Sequence, residues 1–414
     1  MMPEYDTGAT AWIILCTVLV LLMTPSLATF YAGMVRSKNA LGMMMYGLAA
    51  VVSVSITWVL LGFSLTFGPQ ALGGFVGNLD HAGLAGLAES STFSALDVPP
   101  IAFAAFTMMI AVVSATIITG AAADRMKFGA MLSFLALWSV AVFPVTAHWL
   151  LADDGWLTRW GAIDFAGGSV VGVSAGASAW ALVLVLGPRR KWQESSMRPH
   201  SLPLTLVGAA LLWVGWLGLT AGSALSADGV AASAVLATHL AAVGAVAGWL
   251  LLEKRLTGSA PARGAVSGAI AGLVAVTPAA GYLDPFASLL LGFIAGGASY
   301  LALRIKHRLR FDDALDVVAV HLVSGAIGML FVGFFAREIV GGGTVGIGLV
   351  STGNASLLGK QAVAVLVVAA YSFIVSGIVA MALRAVMGLR VTPEGEEQGL
   401  DIAQHGETAY QIRH

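Results

Sequence analysis

Apolar residues fall along this chain in long blocks separated by short polar stretches, without the one-faced spacing of a surface helix. A helix needs roughly 20 apolar residues to cross a bilayer. Eleven stretches meet that length, near 10–34, 44–67, 100–123, 129–151, 162–187, 202–223, 230–252, 264–281, 286–303, 314–336 and 361–387. The pattern predicts an all-α polytopic membrane protein with eleven transmembrane helices. The first stretch follows an acidic stub, Pro3–Asp6, with no basic region before it and no small-residue cleavage site after it. It therefore reads as a retained helix and not as a signal peptide.

The polar stretches carry the orientation, because basic residues collect on the cytoplasmic side of a membrane. Alternate connections hold Arg36 and Lys38; Arg125 and Lys127; Arg189, Arg190, Lys191 and Arg198; Lys254, Arg255 and Arg263; and Arg304, Lys306, Arg308 and Arg310. Arg384, Arg390 and Arg413 fall on the same side, leaving only Arg159, Arg337 and Lys360 of the 21 basic residues on the other. The N-terminus is expected outside and the C-terminus in the cytoplasm, in a cell (inner) membrane.

Composition narrows the function classes. The 414 residues are 58% hydrophobic and 10% charged, with a mean hydropathy of +0.88. Soluble domains carry about 25% charged residues, so a cytosolic enzyme, a nucleic-acid binder and a disordered scaffold are all excluded. A net charge of −1 gives no pull toward polyanions, and the single cysteine, Cys16, permits no intramolecular disulfide.

An odd helix number suggests two five-helix halves of opposite orientation plus one extra helix, a plan many transporters share. The halves would span about 10–187 and 202–336, with 361–387 as the extra helix. Residues 1–388 then form the membrane domain and 389–414 a cytoplasmic tail. An internal echo agrees: Gly172 and Gly176 lie eight and twelve residues after Asp164, and His321 and Gly325 lie eight and twelve after Asp313. Glycines spaced as Gly264, Gly268 and Gly272 read as close helix packing in lipid.

Ionisable groups inside spans are costly, which makes them the first functional candidates. Asp164 opens the fifth span, either as a helix cap accepting backbone N–H groups, as an outer charge that attracts cations, or as both. His321 lies about eight residues into the tenth span, where a neutral imidazole can donate from one nitrogen and accept at the other. His148 and His239 read as interfacial. No metal-ligand cluster and no phosphate loop stands out, so neither metal nor other cofactor is expected.

Several motifs resemble one family over nearly the whole chain: Phe30–Arg36 with Lys38 and Asn39, Ala123–Phe128, Asp164–Val171, Pro199–Pro203, Gly215–Ser223, Ser267–Val274 with Thr277 and Pro278, Asp316–His321, and Gly399–Glu407. In this order they resemble the ammonium transporters of the Amt/Mep/Rh group, bacterial Amt branch. The resemblance implies a homotrimer with one pore per subunit and no enzymatic activity. Ammonium would be recruited outside and deprotonated, and ammonia passed along a narrow apolar pore past paired histidines. It makes Asp164 and Ser223 outer-site residues, Phe106 a pore-approach aromatic and His321 the second pore histidine.

The departures from that pattern are as informative. Gly172 stands at the first pore histidine, Ile110 and Leu219 at the two phenylalanines that close the pore entrance, and Leu151 at the outer-site tryptophan, with Trp149, Trp156 or Trp160 as substitutes if the loop is rearranged. An aromatic face attracts a cation by about 0.5–2 kcal/mol and leucine does not. Recruitment should therefore rest more on Asp164 and Ser223. Gly172 is expected to leave room for water beside His321, giving a wetter and less selective pore.

The tail residues Gly399, Asp401, His405, Gly406 and Tyr410 match the family's ordered C-terminal region, which resembles a docking platform for a PII-type regulator. The basic connection Arg304–Arg310 is expected to hold the acidic tail. Two alternatives to an ammonium channel stay open: an ammonium sensor that signals through its tail, and a pore for another small polar solute such as methylammonium.

Overall fold

The computed structural model describes residues 5–410 except 89, 94–95, 191, 193–196 and 341–342. Pro3, Glu4, Lys191 and Arg413 of the sequence argument lie outside the described residues.

Among the described residues, ten helices are long and apolar enough to cross a membrane: α1 (Thr7–Met34), α2 (Ser37–Phe67), α3 (Pro100–Ala121), α4 (Phe128–Trp160), α5 (Ser169–Leu186), α6 (Leu202–Gly222), α7 (Gly229–Thr257), α9 (Pro285–Lys306), α10 (Val318–Phe335) and α11 (Ser356–Val386). The eighth expected span is shorter. α8 (Ala262–Val276) has 15 residues and breaks at Thr277–Pro278. The carbonyls freed there are taken up by the loop before α5, where Phe165 N–H donates to the Pro278 oxygen at 3.1 Å and Ala166 N–H to the Thr277 oxygen at 3.2 Å. Pro278 has no N–H with which to continue a helix, so the break also supplies a docking edge.

α1 lies along α6, α7 packs on α8 and α9, and α11 covers α5. The outward faces are apolar: Leu366, Ile374, Ile378 and Met381 of α11 are all exposed, as a lipid-facing surface requires. Two small antiparallel hairpins add to the all-helical expectation, Gln70–Ala71 with Val76–Gly77 and Arg337–Val340 with Gly343–Gly346.

The basic connections meet at one end of the bundle around a buried ion network. Arg189 bridges Asp312 at 2.8 Å and Asp124 at 3.1 Å, while Arg125 lies 4.0 Å from Asp312 and Arg36 lies 3.7 Å from Asp124. Burial pushes the Asp312 carboxyl up, but the hydrogen bonds and charges of Arg189 and Arg125 outweigh it and hold the group below the usual carboxylate range.

The tail closes over this end as two short helices, α12 (Pro393–Gln398) and α13 (Leu400–His405). Asp401 accepts from the Leu41 and Gly42 N–H groups at 3.1 and 2.8 Å. Gly399 adopts φ +110°, and a Cβ there would strike Lys38, so this turn needs glycine. His405 packs edge-on against Phe128, Gly406 ends α13 with φ +68°, and the Tyr410 hydroxyl sits 2.8 Å from His200 Nε2. One expectation is corrected here. The tail's acids do not go to Arg304–Arg310: Glu396 pairs with Arg390 at 2.7 Å and Glu397 with Arg190 at 3.2 Å. The reason is the route of the chain, which leaves α11 alongside the α3–α4 connection, with Lys127 N–H bonded to Leu389 and Val391 N–H to Arg125.

Candidate functional site

α5 and α10 share an unusual construction. Each begins with a π-helical turn, Ser169–Ser174 and Val318–Val323, before continuing as an α-helix. Each is preceded by an aspartate that caps it across five residues: Asp164 accepts the Ser169 N–H at 2.8 Å, and Asp313 accepts the Val318 N–H at 2.7 Å. Asp164 also takes the Gly168 N–H at 2.7 Å and the Ser169 hydroxyl. Both of its oxygens are thus committed to the start of α5, and its side chain is buried. The cap role is what the geometry supports, with one donor on Oδ1 and two on Oδ2.

The two π-turns cross at the echo positions. A Cβ on Gly325 would stand 3.0 Å from the Val173 nitrogen and 3.2 Å from Gly172 Cα, and one on Gly176 would stand 2.5 Å from the Leu322 nitrogen. The contacts exchange as a twofold relation between α5 and α10 demands, each glycine meeting the residue after its counterpart's histidine position. His321 lies at this crossing, 2% exposed, with its Nδ1 buried and without a hydrogen-bond partner. An unpartnered buried ring nitrogen is uncommon, and here it sits where two backbones are pressed together.

The room expected beside His321 is not open at its first atom. A Cβ on Gly172 would meet Val274 Cγ1 at 3.0 Å, Gly325 Cα at 3.2 Å and the His321 carbonyl at 3.3 Å. Val274 of α8 walls the position where the imidazole stem would begin, so the glycine serves the close crossing.

The outer-site candidates fall in two pairs. The Phe106 ring packs on Gly222, next to Ser223, and Leu151 lies over Gly167, between Asp164 and the π-turn. Ser223 is half-buried and its hydroxyl donates to the Leu219 carbonyl at 2.9 Å, leaving its oxygen able to accept. Phe106, Ile110 and Leu219 are buried. Trp149 is not a substitute for Leu151: its Nε1 donates to the Phe75 carbonyl at 2.8 Å, and its ring is held between Phe75, Trp156 and Tyr371. Trp160 is exposed.

His148 and His239 differ from expectation. His148 is fully buried, with Nδ1 2.8 Å from the Thr66 carbonyl. His239 is exposed well inside α7, against the Trp213 ring. Among the described residues no group of His, Cys, Asp and Glu could hold a metal ion.

Two helices that open on π-turns thus cross at small residues, with the His321 imidazole at the crossing. The chain matches the Ammonium Transporter Family over residues 11–410. It belongs to that family. The ammonium transporter of Bacillus subtilis is 42% identical over 98% of this chain and 98% of its own length. That of Mycobacterium tuberculosis (strain H37Rv) is 43% identical over 98% of this chain and 90% of its own. Among solved structures, a "Sensor Amt Protein" superposes with a TM-score of 0.87 at 31% identity over 96% of this chain and 98% of that one. Candida albicans Mep2 superposes with a TM-score of 0.87 at 31% identity over 94% of this chain and 88% of that one. Family membership accounts for the resemblance of the motifs.

Proposed function

We propose that this protein moves ammonium across a cell membrane as ammonia plus a separately handled proton, through a passage at the crossing of α5 and α10. The observation that carries the reading is His321, whose Nδ1 is buried without a partner where the π-helical starts of α5 and α10 cross. A bare cation in low dielectric costs tens of kcal/mol by the Born estimate, whereas neutral ammonia does not. An unpartnered ring nitrogen can exchange a hydrogen bond with such a guest. Potassium, with no proton to give, is refused by the same step.

In this reading α8 completes eleven crossings, the N-terminus lies outside and the tail in the cytoplasm. Asp164 fixes the outer start of α5, and Ser223 and Phe106 line the approach. Ile110, Leu219 and Gly172 line the narrow part in place of aromatic and imidazole groups. Three copies assemble as in the family, and the docked tail, through Asp401 and Tyr410, offers a surface to a PII-type regulator.

An ammonium jump applied to proteoliposomes tests the proposal: the wild type should produce a current or internal pH change above empty liposomes, and no response would refute transport. A second reading, ammonium binding without flux, is favoured by the likeness to the sensor structure. Ammonium binding with no flux would select it.

A further inference from the structure

Toward the end of α4, on the side of the bundle that carries the N-terminus, one histidine has one bond made and one left open. His148 is fully buried, and its Nδ1 lies 2.8 Å from the Thr66 carbonyl at the end of α2. A carbonyl only accepts, so Nδ1 carries a proton. In the neutral ring Nε2 is then an acceptor. It is buried without a hydrogen-bond partner, and Asp154 Oδ1 lies 3.8 Å away. Two acceptors face each other there, and a proton on Nε2 turns the pair into an ion pair.

Both neighbours of the ring suit a positive charge. Thr66 belongs to the last turn of α2, where helix carbonyls carry partial negative charge that favours a cation. Burial costs the charged ring its hydration, and the helix end and the Asp154 carboxylate offset that cost. The other elements that pack on Phe143–Leu151 include the strand Val76–Gly77, the turn Trp156–Trp160 and the start of α5. Among the described residues their one charged side chain is Arg159, which is exposed and donates to the Gly73 carbonyl at 3.4 Å. Asp153, beside Asp154, is exposed.

The pair would hold the turn that follows the helix. The Gly155 N–H donates to the Ala152 carbonyl at 3.1 Å, and a Cβ on Gly155 would strike the His148 carbonyl, so the chain passes directly over the helix end. Leu151 follows His148 by nearly one helical turn and lies over Gly167, at the approach to α5.

We propose that His148 is a positioning residue set by pH. With Nε2 protonated it pairs with Asp154, and the turn Ala152–Gly155 then pins Leu151 over the start of α5; with Nε2 bare the turn is released. Histidine changes charge between pH 5 and 8, and the stability given by the pair is present at the acid end and lost as pH rises. The role rests on the transport reading only for its effect on flux, where a pinned Leu151 narrows the approach.

Hydrogen exchange of the purified full-length protein tests the role, at pH 5.5 and 7.5 with labelling times scaled for the intrinsic pH dependence of amide exchange. In the wild type the amides of residues 152–160 should exchange about tenfold more slowly at pH 5.5, the worth of one charge-assisted hydrogen bond. Asp154→Asn offers an N–H to the neutral ring, so its protection should be equal at both values, whereas Asp154→Glu, which keeps the charge, should retain the step. Melting of each variant as the wild type at pH 7.5 shows that the fold is intact. In proteoliposomes with the same pH on both sides, the ammonium response of the wild type should be lower at pH 5.5 than at 7.5, and that of Asp154→Asn equal at both. If the wild type transports and its 152–160 amides show no step, or Asp154→Asn keeps the step, the positioning role is wrong and transport stands. If the wild type carries nothing and the step appears and is lost in Asp154→Asn, the positioning role stands and transport falls.

Discussion

The starts of α5 and α10 are the same device made twice, and they differ in what is left over. At α5 both oxygens of the capping carboxylate are engaged: Asp164 holds two N–H groups and a hydroxyl. At α10, Asp313 holds one N–H through Oδ2, and its Oδ1 is buried without a partner. The crossing residues differ in the same sense, with hydrogen at Gly172 and an unpartnered imidazole at His321. The five-residue cap and the π-turn recur at both helix starts, so the backbone geometry is what the two share. The polar chemistry is asymmetric: around the start of α5 the capping groups are bonded, and around the start of α10 Asp313 Oδ1 and His321 Nδ1 are left without partners.

Removing the completed cap should have the largest effect. Asp164→Ala leaves the Gly168 and Ser169 N–H groups buried without an acceptor, at roughly 1–3 kcal/mol each. The variant should melt well below the wild type and lose its ammonium response, whereas Asp164→Asn, which keeps an acceptor, should retain the fold. Overfilling the crossing comes next. A Cβ at Gly176 meets the Leu322 backbone at 2.5 Å, which cannot yield cheaply, while one at Gly172 meets the Val274 methyl at 3.0 Å. Gly176→Ala should cost up to about 3 kcal/mol and Gly172→Ala markedly less. Equal costs in denaturant unfolding would remove the claim that α5 and α10 touch most tightly at the former.

The unfinished cap should reveal itself through pH. Burial raises the Asp313 carboxyl to about 6, against an opposing attraction from Lys306. The folded state therefore holds a proton that the unfolded chain has released above about pH 4. Stability contributed by this group is present below about pH 4 and lost as pH rises toward 6, the reverse of Asp312, whose lowered value favours the fold as pH rises. Asp313→Asn should be more stable than the wild type by about 3 kcal/mol at pH 7 and no more stable at pH 4. A difference that does not change with pH would contradict the asymmetry. The smallest effect is expected at the tail. Asp401→Ala frees the Leu41 and Gly42 N–H groups at the edge of the bundle, a loss of about 1 kcal/mol by analogy with helix caps. It should speed proteolysis after Leu389 while leaving the melting of the membrane helices nearly unchanged.

Much of this was legible from the residues, for physical reasons. Spans declare themselves because lipid demands long apolar runs, and the matched offsets from Asp164 and Asp313 reflect a geometric equivalence that the π-turns then display. Other features were hidden because they depend on which segments meet. The early end of α8 follows from the docking of Thr277 and Pro278 on the loop at Phe165, which no local pattern announces. The partners of Glu396 and Glu397 depend on the path of the chain past Lys127, and basic residues at Arg304–Arg310 look equally suitable in a linear reading. His148 lies near the end of an apolar run and so reads as interfacial, yet the fold of the loop through Gly155 buries it completely. The cap at Asp164 was among the readings the sequence offered; that three donors share it depends on the path of the loop through Gly167 and Gly168.

The central claim is that His321 meets the permeating species where α5 and α10 cross, and one measurement tests it most directly. Wild type and His321→Leu are reconstituted at equal density, and the response to an ammonium pulse is followed by solid-supported membrane current, with melting recorded to verify the fold. The account predicts that the leucine variant, folded as the wild type is, loses the ammonium response by about tenfold or more. A response equal to that of the wild type would contradict it.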